Sequence, residues 1–302
     1  MYSVIFYWIF NMSVAASITG LLIYFIGKIP FIPKNVICLL YLIPFLRMII
    51  PVGINSKYSL MSLISKFTSK TVTVYEGTFD LSLSNYVMGA QTYFPFTYKT
   101  DLLRNIFGIS FIVWLIIASA LLVSLWTIYI TTMIELKDSS HLRSNIYVSD
   151  KVTAPAVYGI LKPKILLPTK YDLSDLDFIL MHENAHIRRK DNLWRVVAIS
   201  VACVHWFNPL TWLFLKNFLT SLELACDEAV LKQCNDDEKH LYAKTLLNCL
   251  ESKSIYLSAF GGAKTRVRIQ RILSYKSLSV LATLCLFILA LAIGYVLLTN
   301  AK

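Results

Sequence analysis

The sequence predicts a mainly α membrane protein with four transmembrane helices and an α+β domain inserted between the third and the fourth. Three observations carry that prediction. Hydrophobic residues make up 56% of the chain and charged residues only 16%, with a mean hydropathy of +0.59, a balance unlike that of soluble domains. Four stretches, residues 4–26, 35–53, 106–133 and 278–298, each offer close to the ~20 mostly apolar residues that a span needs. Between the last two lies a polar segment, residues 134–276, long enough to close around a core of its own.

Taken in order, residues 1–53 hold two spans joined by a short connection that carries Lys28 and Lys34. The first stretch is too long for a removable signal peptide and lacks the basic start and small-residue cleavage site of one. Residues 54–105 form a loop rich in Ser, Thr, Tyr and Phe, read either as a sensing surface or as a cover over the helix ends. Residues 106–133 are the third span, 134–276 the polar domain, and 277–302 the fourth span with a short tail. Basic residues near membrane ends set orientation. The polar domain carries 20 of the chain's 29 Lys and Arg, with Arg266, Arg268, Arg271 and Lys276 crowding the last span. This places the domain and the first connection in the cytoplasm, and the N-terminus and the long loop outside. The net charge of +11 is therefore a topology signal. No basic stripe interleaved with aromatics accompanies it, so the bilayer and not nucleic acid is the direct partner. Arg47, near the outer end of the second span, reads either as a functional charge inside the membrane or, more simply, as a snorkelling side chain. The cysteines, Cys38, Cys203, Cys226, Cys234, Cys249 and Cys285, lie in spans or on the cytoplasmic side without CxxC spacing. Reduced thiols and no cysteine-only zinc site are expected.

Within the polar domain, residues 145–148, 156–160 and 164–167 have the composition of short strands separated by Pro155, Pro163 and Pro168. Residues 157–163 read as a hairpin whose edge either receives a peptide as an added strand or merely supports the next helix. That helix carries the decisive motif, His182-Glu183-Asn184-Ala185-His186. Residues four apart share a helical face, so both imidazoles can grip one zinc ion. The adjacent carboxylate of Glu183 can then act as general base on a water at the metal. Asp172, Ser174 and Asp175 offer N-caps upstream. The plain alternative is a solvated, charged helix face ending in Arg188-Arg189-Lys190.

A hydrolytic zinc usually takes three protein ligands. Glu223 and Asp227 share a face of a later helix whereas Glu228 points elsewhere, so Glu223 can be the third ligand. Asp227 can then accept a proton from the second nitrogen of a ligand histidine. This requires the uncharged stretch 196–215 to return the chain to the same side. Pro209, flanked by His205 and Asn208, breaks the stretch into a pair of helices, either interfacial or buried in a core.

Several motifs occur in one order: Pro155 and Gly159, the run Lys162-Pro163-Lys164-Ile165-Leu166-Leu167-Pro168, the HENAH motif with Arg189 and Asp191, His205-Trp206-Phe207-Asn208-Pro209, and Glu223-x-x-Cys226-Asp227-Glu228-Ala229-Val230. Together they resemble the integral-membrane zinc peptidases typified by the beta-lactam-sensing antirepressors of penicillinase and methicillin resistance. The later Ser258-Ala259-Phe260-Gly261 and the basic residues 264–272 are also similar to that family. The resemblance implies a gluzincin-like protease domain facing the cytoplasm of a bacterial cell. In it His182, His186 and Glu223 bind zinc, Glu183 is the catalytic base and Asp227 supports the site. It further implies a cytoplasmic protein substrate, a winged-helix repressor or the chain itself, cleaved in response to an envelope signal. Two departures stand out: the chain ends at Lys302, so direct acylation by a beta-lactam is not expected, and the connection 134–144 is short. His205, Tyr158 or an arginine would supply a second donor to the oxyanion. The rival expectations are a non-catalytic transmembrane signalling scaffold and a housekeeping membrane-protein protease. A homodimer is compatible with the chain, although no small-residue helix motif argues for one.

Overall fold

The computed structural model describes residues 2–50, 56–60, 62, 101–169, 176–251, 265–275 and 279–299. Most of the long loop, the N-cap candidates Asp172, Ser174 and Asp175, and the Ser258–Gly261 motif lie outside the described residues.

Helices α1 (Tyr2–Gly27) and α2 (Lys34–Ile49) form an antiparallel pair. Helix α3 (Asp101–Glu135) packs on α1 and carries its apolar side chains outward, with Ile116 64% and Val123 65% exposed. After the short 3-10 turn Leu136–Asp138 come strands β1 (Ser140–Arg143), β2 (Ile146–Ser149), β3 (Ala156–Tyr158) and β4 (Lys164–Pro168). Helices α4 (Leu176–Arg189), α5 (Asp191–Val204), α6 (Pro209–Leu231), α7 (Asp236–Glu251), α8 (Thr265–Leu273) and α9 (Val280–Leu298) follow. Among the described residues, three helices are long and apolar enough to cross a membrane, spanning Ile5–Gly27, Ile106–Asp138 and Leu281–Leu298. The second expected span is the 16-residue α2, shorter than these and interrupted by Pro44.

The sheet has the order β1-β2-β4-β3. β2 runs parallel to β4, while β1 and β3 pair antiparallel with their neighbours. Strand β1 falls where only a short linker was expected, and Ser144, at φ 50°, turns it into β2. β3 is left at the edge, packed beside α4. Gly159 ends it at φ +91°, a conformation that L side chains rarely adopt,. A Cβ there would stand 2.8 Å from the Lys162 carbonyl oxygen.

Helices α5 and α6 form the hairpin that Pro209 marks in the sequence. Asn208 caps α6 by accepting from the Leu210 amide at 3.0 Å, with Pro209 in the first helical position,. Its Nδ2 donates to the hydroxyls of Ser13 and Ser17 on α1 at 2.8 and 2.7 Å. The core of this part joins Ala198 and Ala202 of α5 and Phe214 and Phe218 of α6 to Ile37, Leu40 and Phe45 of α2 and to Ala16 and Ile23 of α1. Gly20 makes the approach of α1 and α6 possible, since a Cβ there would meet the Phe214 ring at 2.2 Å. At the other end of α6, Glu228 accepts from the backbone amide of Lys34 at 2.8 Å and so caps α2,. Arg47 does not snorkel. It is fully buried and its Nη1 donates to the carbonyls of Leu297 at 2.6 Å and Thr299 at 3.3 Å, capping the C-terminal end of α9. The last carbonyls of a helix have no partner within it, which makes them a natural seat for a guanidinium.

Candidate metal centre

The 3.6-residue period of α4 brings His182 and His186 onto one buried face, and α6 packs across it with Glu223,. His182 Nε2 lies 3.7 Å from Glu223 Oε2, and His186 Nε2 lies 3.8 Å from Glu223 Oε1. One ligand atom from each residue falls within a 4.8 Å cluster. Ligands about 2.0–2.2 Å from a tetrahedral ion must lie this near one another.

The other imidazole nitrogens are already committed. His186 Nδ1 is 2.8 Å from Asp191 Oδ2. A carboxylate only accepts, so that nitrogen carries a hydrogen and Nε2 is the nitrogen turned toward a metal. On His182, Nδ1 lies 2.9 Å from the Tyr242 hydroxyl, which donates in turn to Asp227 Oδ1 at 2.7 Å. A hydroxyl that donates to a carboxylate receives from the imidazole, so His182 Nε2 is left as the acceptor, with Arg268 Nη2 3.4 Å from it,. Two imidazole Nε2 atoms facing one carboxylate are a donor set that fits zinc.

Asp227 therefore sits one hydroxyl away from His182. The direct separation of its Oδ1 from His182 Nδ1 is 3.4 Å, and its nearer partners are Tyr242 and Arg268. Arg268 Nε and Nη2 reach Asp227 Oδ2 and Oδ1 at 2.8 and 2.7 Å, a bidentate fork. Burial alone would lower the Arg268 pKa, but the Asp227 charge raises it above the ordinary arginine value. Burial, reinforced by Asp227, pushes the Tyr242 phenol well above its usual range and keeps it a donor. Burial would raise the Asp191 carboxyl, yet the hydrogen bond from His186 and the charge of Arg189 carry it below the ordinary value.

Tyr242 had no signal in the sequence, because α7 is distant along the chain and its periodicity reports only an amphipathic helix. Asp191 was visible only as a neighbour of Arg189. Lys190, in the left-handed region at φ 56°, makes the tight turn that swings Asp191 back under His186. Arg268, read from sequence as part of a membrane-proximal charge belt, is 4% exposed and held in the site. Arg195 pairs with Glu223 Oε1 (with part of its side chain exposed), and Arg268 Nη1 lies 3.4 Å from Oε2. A second cluster, His186, Asp191 and Cys226, uses the Nδ1 that Asp191 already holds protonated, so it orients His186.

Glu183 is buried beside the two histidines and stands outside both clusters. Burial, and after it the charge of Glu183, raises the Tyr158 phenol at the end of β3 above its ordinary value. His205 is not near this centre. It ends α5, whose first residue is Asp191, so fourteen residues of helix, about 21 Å, separate them,.

"Regulatory protein BlaR1" of Bacillus licheniformis is 35% identical over 103 residues, covering 33% of this chain and 17% of that protein. "Methicillin resistance mecR1 protein" of Staphylococcus aureus is 27% identical over 117 residues, 37% of this chain and 20% of the relative. "Regulatory protein BlaR1" of Staphylococcus aureus is 24% identical over 145 residues, 44% and 25%. The matched part thus spans a quarter or less of each of these relatives. The profile described as "BlaR1 peptidase M56" matches residues 7–272, which take in α4, the α5–α6 hairpin and Arg268: the chain belongs to the BlaR1 peptidase M56 family.

Proposed function

We propose that this chain is a membrane-embedded zinc endopeptidase that cleaves a cytoplasmic protein in response to an envelope signal. The observation that carries the reading is the convergence of His182 and His186 Nε2 on the Glu223 carboxylate, with both tautomers fixed from behind and Glu183 alongside. His182, His186 and Glu223 would hold the zinc, which supplies Lewis acidity toward a scissile carbonyl. Glu183 takes a proton from the attacking water on its carboxylate and delivers it to the departing amine nitrogen. Asp191 and the Tyr242–Asp227 pair hold the two imidazoles in register while this happens. Arg195 or Arg268 is placed to add a donor for the oxyanion,. The edge of β3 beside α4 suits an extended substrate, bound as an added strand next to Glu183,.

The depth of the centre restricts the substrate. Ser13 and Ser17, which hold the hairpin tip, lie about 15–21 Å along α1 from its end at Gly27,. Glu223 lies five residues, about 7 Å, from the Glu228–Lys34 contact at the start of α2,. If α1 and α2 both cross the membrane, the hairpin is inserted into it from the cytoplasmic side and the metal ligands sit at that surface. The favoured substrate is a repressor of the winged-helix type brought to the membrane, or the chain itself. Relatives named for regulation and methicillin resistance support a signalling role.

The test compares new protein N-termini in cells making wild type or Glu183→Ala at equal levels, with bound zinc measured in both. A few cytoplasmic cleavages specific to wild type support the proposal. A broad set of membrane fragments would favour a housekeeping protease, and no difference with zinc bound would favour a signalling scaffold.

A further inference from the structure

Asn192 Nδ2 donates to the carbonyls of Val157 and Gly159 at 3.0 and 3.2 Å. These carbonyls lie on the side of β3 that faces away from β4. Ile165, the partner of Val157 in β4, turns its own amide to Asn145 on the β2 side at 2.9 Å. The Val157–Ile165 pair is therefore of the non-hydrogen-bonded kind, and both polar backbone groups of Val157 point to the outer edge. Asn192 closes part of that edge. Both of its amide hydrogens are committed there, which fixes the carboxamide with nitrogen toward the strand. Its Oδ1 has no hydrogen-bond partner among the described residues and is not sealed from solvent. Asn192 stands in the first turn of α5 between two residues that touch the metal centre. Asp191 holds His186 Nδ1 at 2.8 Å, and Arg195, three residues on and so on the same face as Asn192, pairs with Glu223,.

Resting on the peptidase reading above, we propose that Asn192 is a substrate-binding residue whose Oδ1 accepts a backbone N–H of an extended peptide lying across the metal ligands. An open strand edge would offer the Val157 and Gly159 carbonyls to such an N–H. Here both are taken, and the carboxamide presents its own oxygen in their place. The Val157 N–H, on the same edge, donates to a peptide carbonyl. The peptide thus meets a donor and an acceptor side by side, as it would on an antiparallel neighbour. The contact has a consequence for sequence preference. Proline has no backbone N–H, so at the one substrate position that meets Asn192 it leaves Oδ1 without a partner once the peptide has displaced water from it. The site therefore selects an extended chain of secondary amides and rejects proline at that position.

The test uses the full zinc-loaded chain in phosphatidylcholine nanodiscs and reads binding by titration calorimetry, so no cleavage is required. The probe is an isobutyl-succinyl hydroxamate of leucine methylamide, whose hydroxamate anchors it on the metal. It is compared with two analogues, each N-methylated at one of its two backbone amides. On wild type one analogue is expected to bind about tenfold more weakly than the parent, the effect of one hydrogen bond. In Asn192→Leu that penalty should vanish, with zinc affinity followed by chelator competition on the same preparation. The same penalty in wild type and Asn192→Leu would overturn the proposal, since Asn192 would then only brace the strand. So would equal binding of the parent and both analogues by wild type, a result that needs no variant. Failure of the parent to bind zinc-loaded wild type would instead overturn the peptidase reading, and this proposal with it.

Discussion

His186 donates its Nδ1 hydrogen to Asp191 Oδ2 across 2.8 Å, from the last turn of one helix to the first residue of the next. The carboxylate also accepts from Arg189 Nε at 3.2 Å and from the Cys226 thiol at 3.2 Å. It is a fixed anchor for the imidazole. Asp191→Asn keeps an acceptor but loses the charge, and is expected to weaken zinc binding by roughly 10–100-fold. Competition with a chromogenic chelator measures this; unchanged affinity would show that Asp191 does not position the ligand.

Tyr242 bridges His182 and Asp227 through one hydroxyl. Tyr242→Phe keeps the ring and its packing against Phe178 but leaves His182 Nδ1 without its acceptor. Zinc affinity should fall by about tenfold, and stability by about 1–3 kcal/mol for the polar groups left unpaired. Zinc retention and thermal unfolding in detergent, run on the same preparation, separate the two effects.

Asp227 and Arg268 are a buried ion pair, 2% and 4% exposed. Removing one partner strands the other, so Arg268→Met is expected to cost about 3–5 kcal/mol. Adding Asp227→Asn should recover a substantial part of that loss, because no uncompensated charge remains. Losses in the two single variants that simply add in the double variant would rule out the coupling.

Gly159→Ala forces a side chain into φ +91° with its Cβ 2.8 Å from the Lys162 carbonyl oxygen. Strain of this kind costs on the order of 1–3 kcal/mol. The β3–β4 turn is expected to open, seen as faster limited proteolysis between Gly159 and Lys162 while the helices keep their circular dichroism.

The sequence by itself determined what depends on local spacing and composition. Apolar length marked α1, α3 and α9, the four-residue interval put His182 and His186 on one face, and Pro209 broke residues 196–215 into the two arms of a hairpin. Long apolar runs and helical periodicity are properties of contiguous residues, so they can be read without a fold. The tertiary structure alone decided which distant groups share a space. It joined Tyr242 to His182 and Asp227, and carried Arg268 from a basic run into the site. It also turned Arg47 from a snorkelling cation into the cap of α9 and placed His205 at the end of a cleft, one helix length from Asp191. Each of these partners lies tens to hundreds of residues away along the chain. Their choice follows from which helices pack together and how far each is rotated, and no local pattern records that.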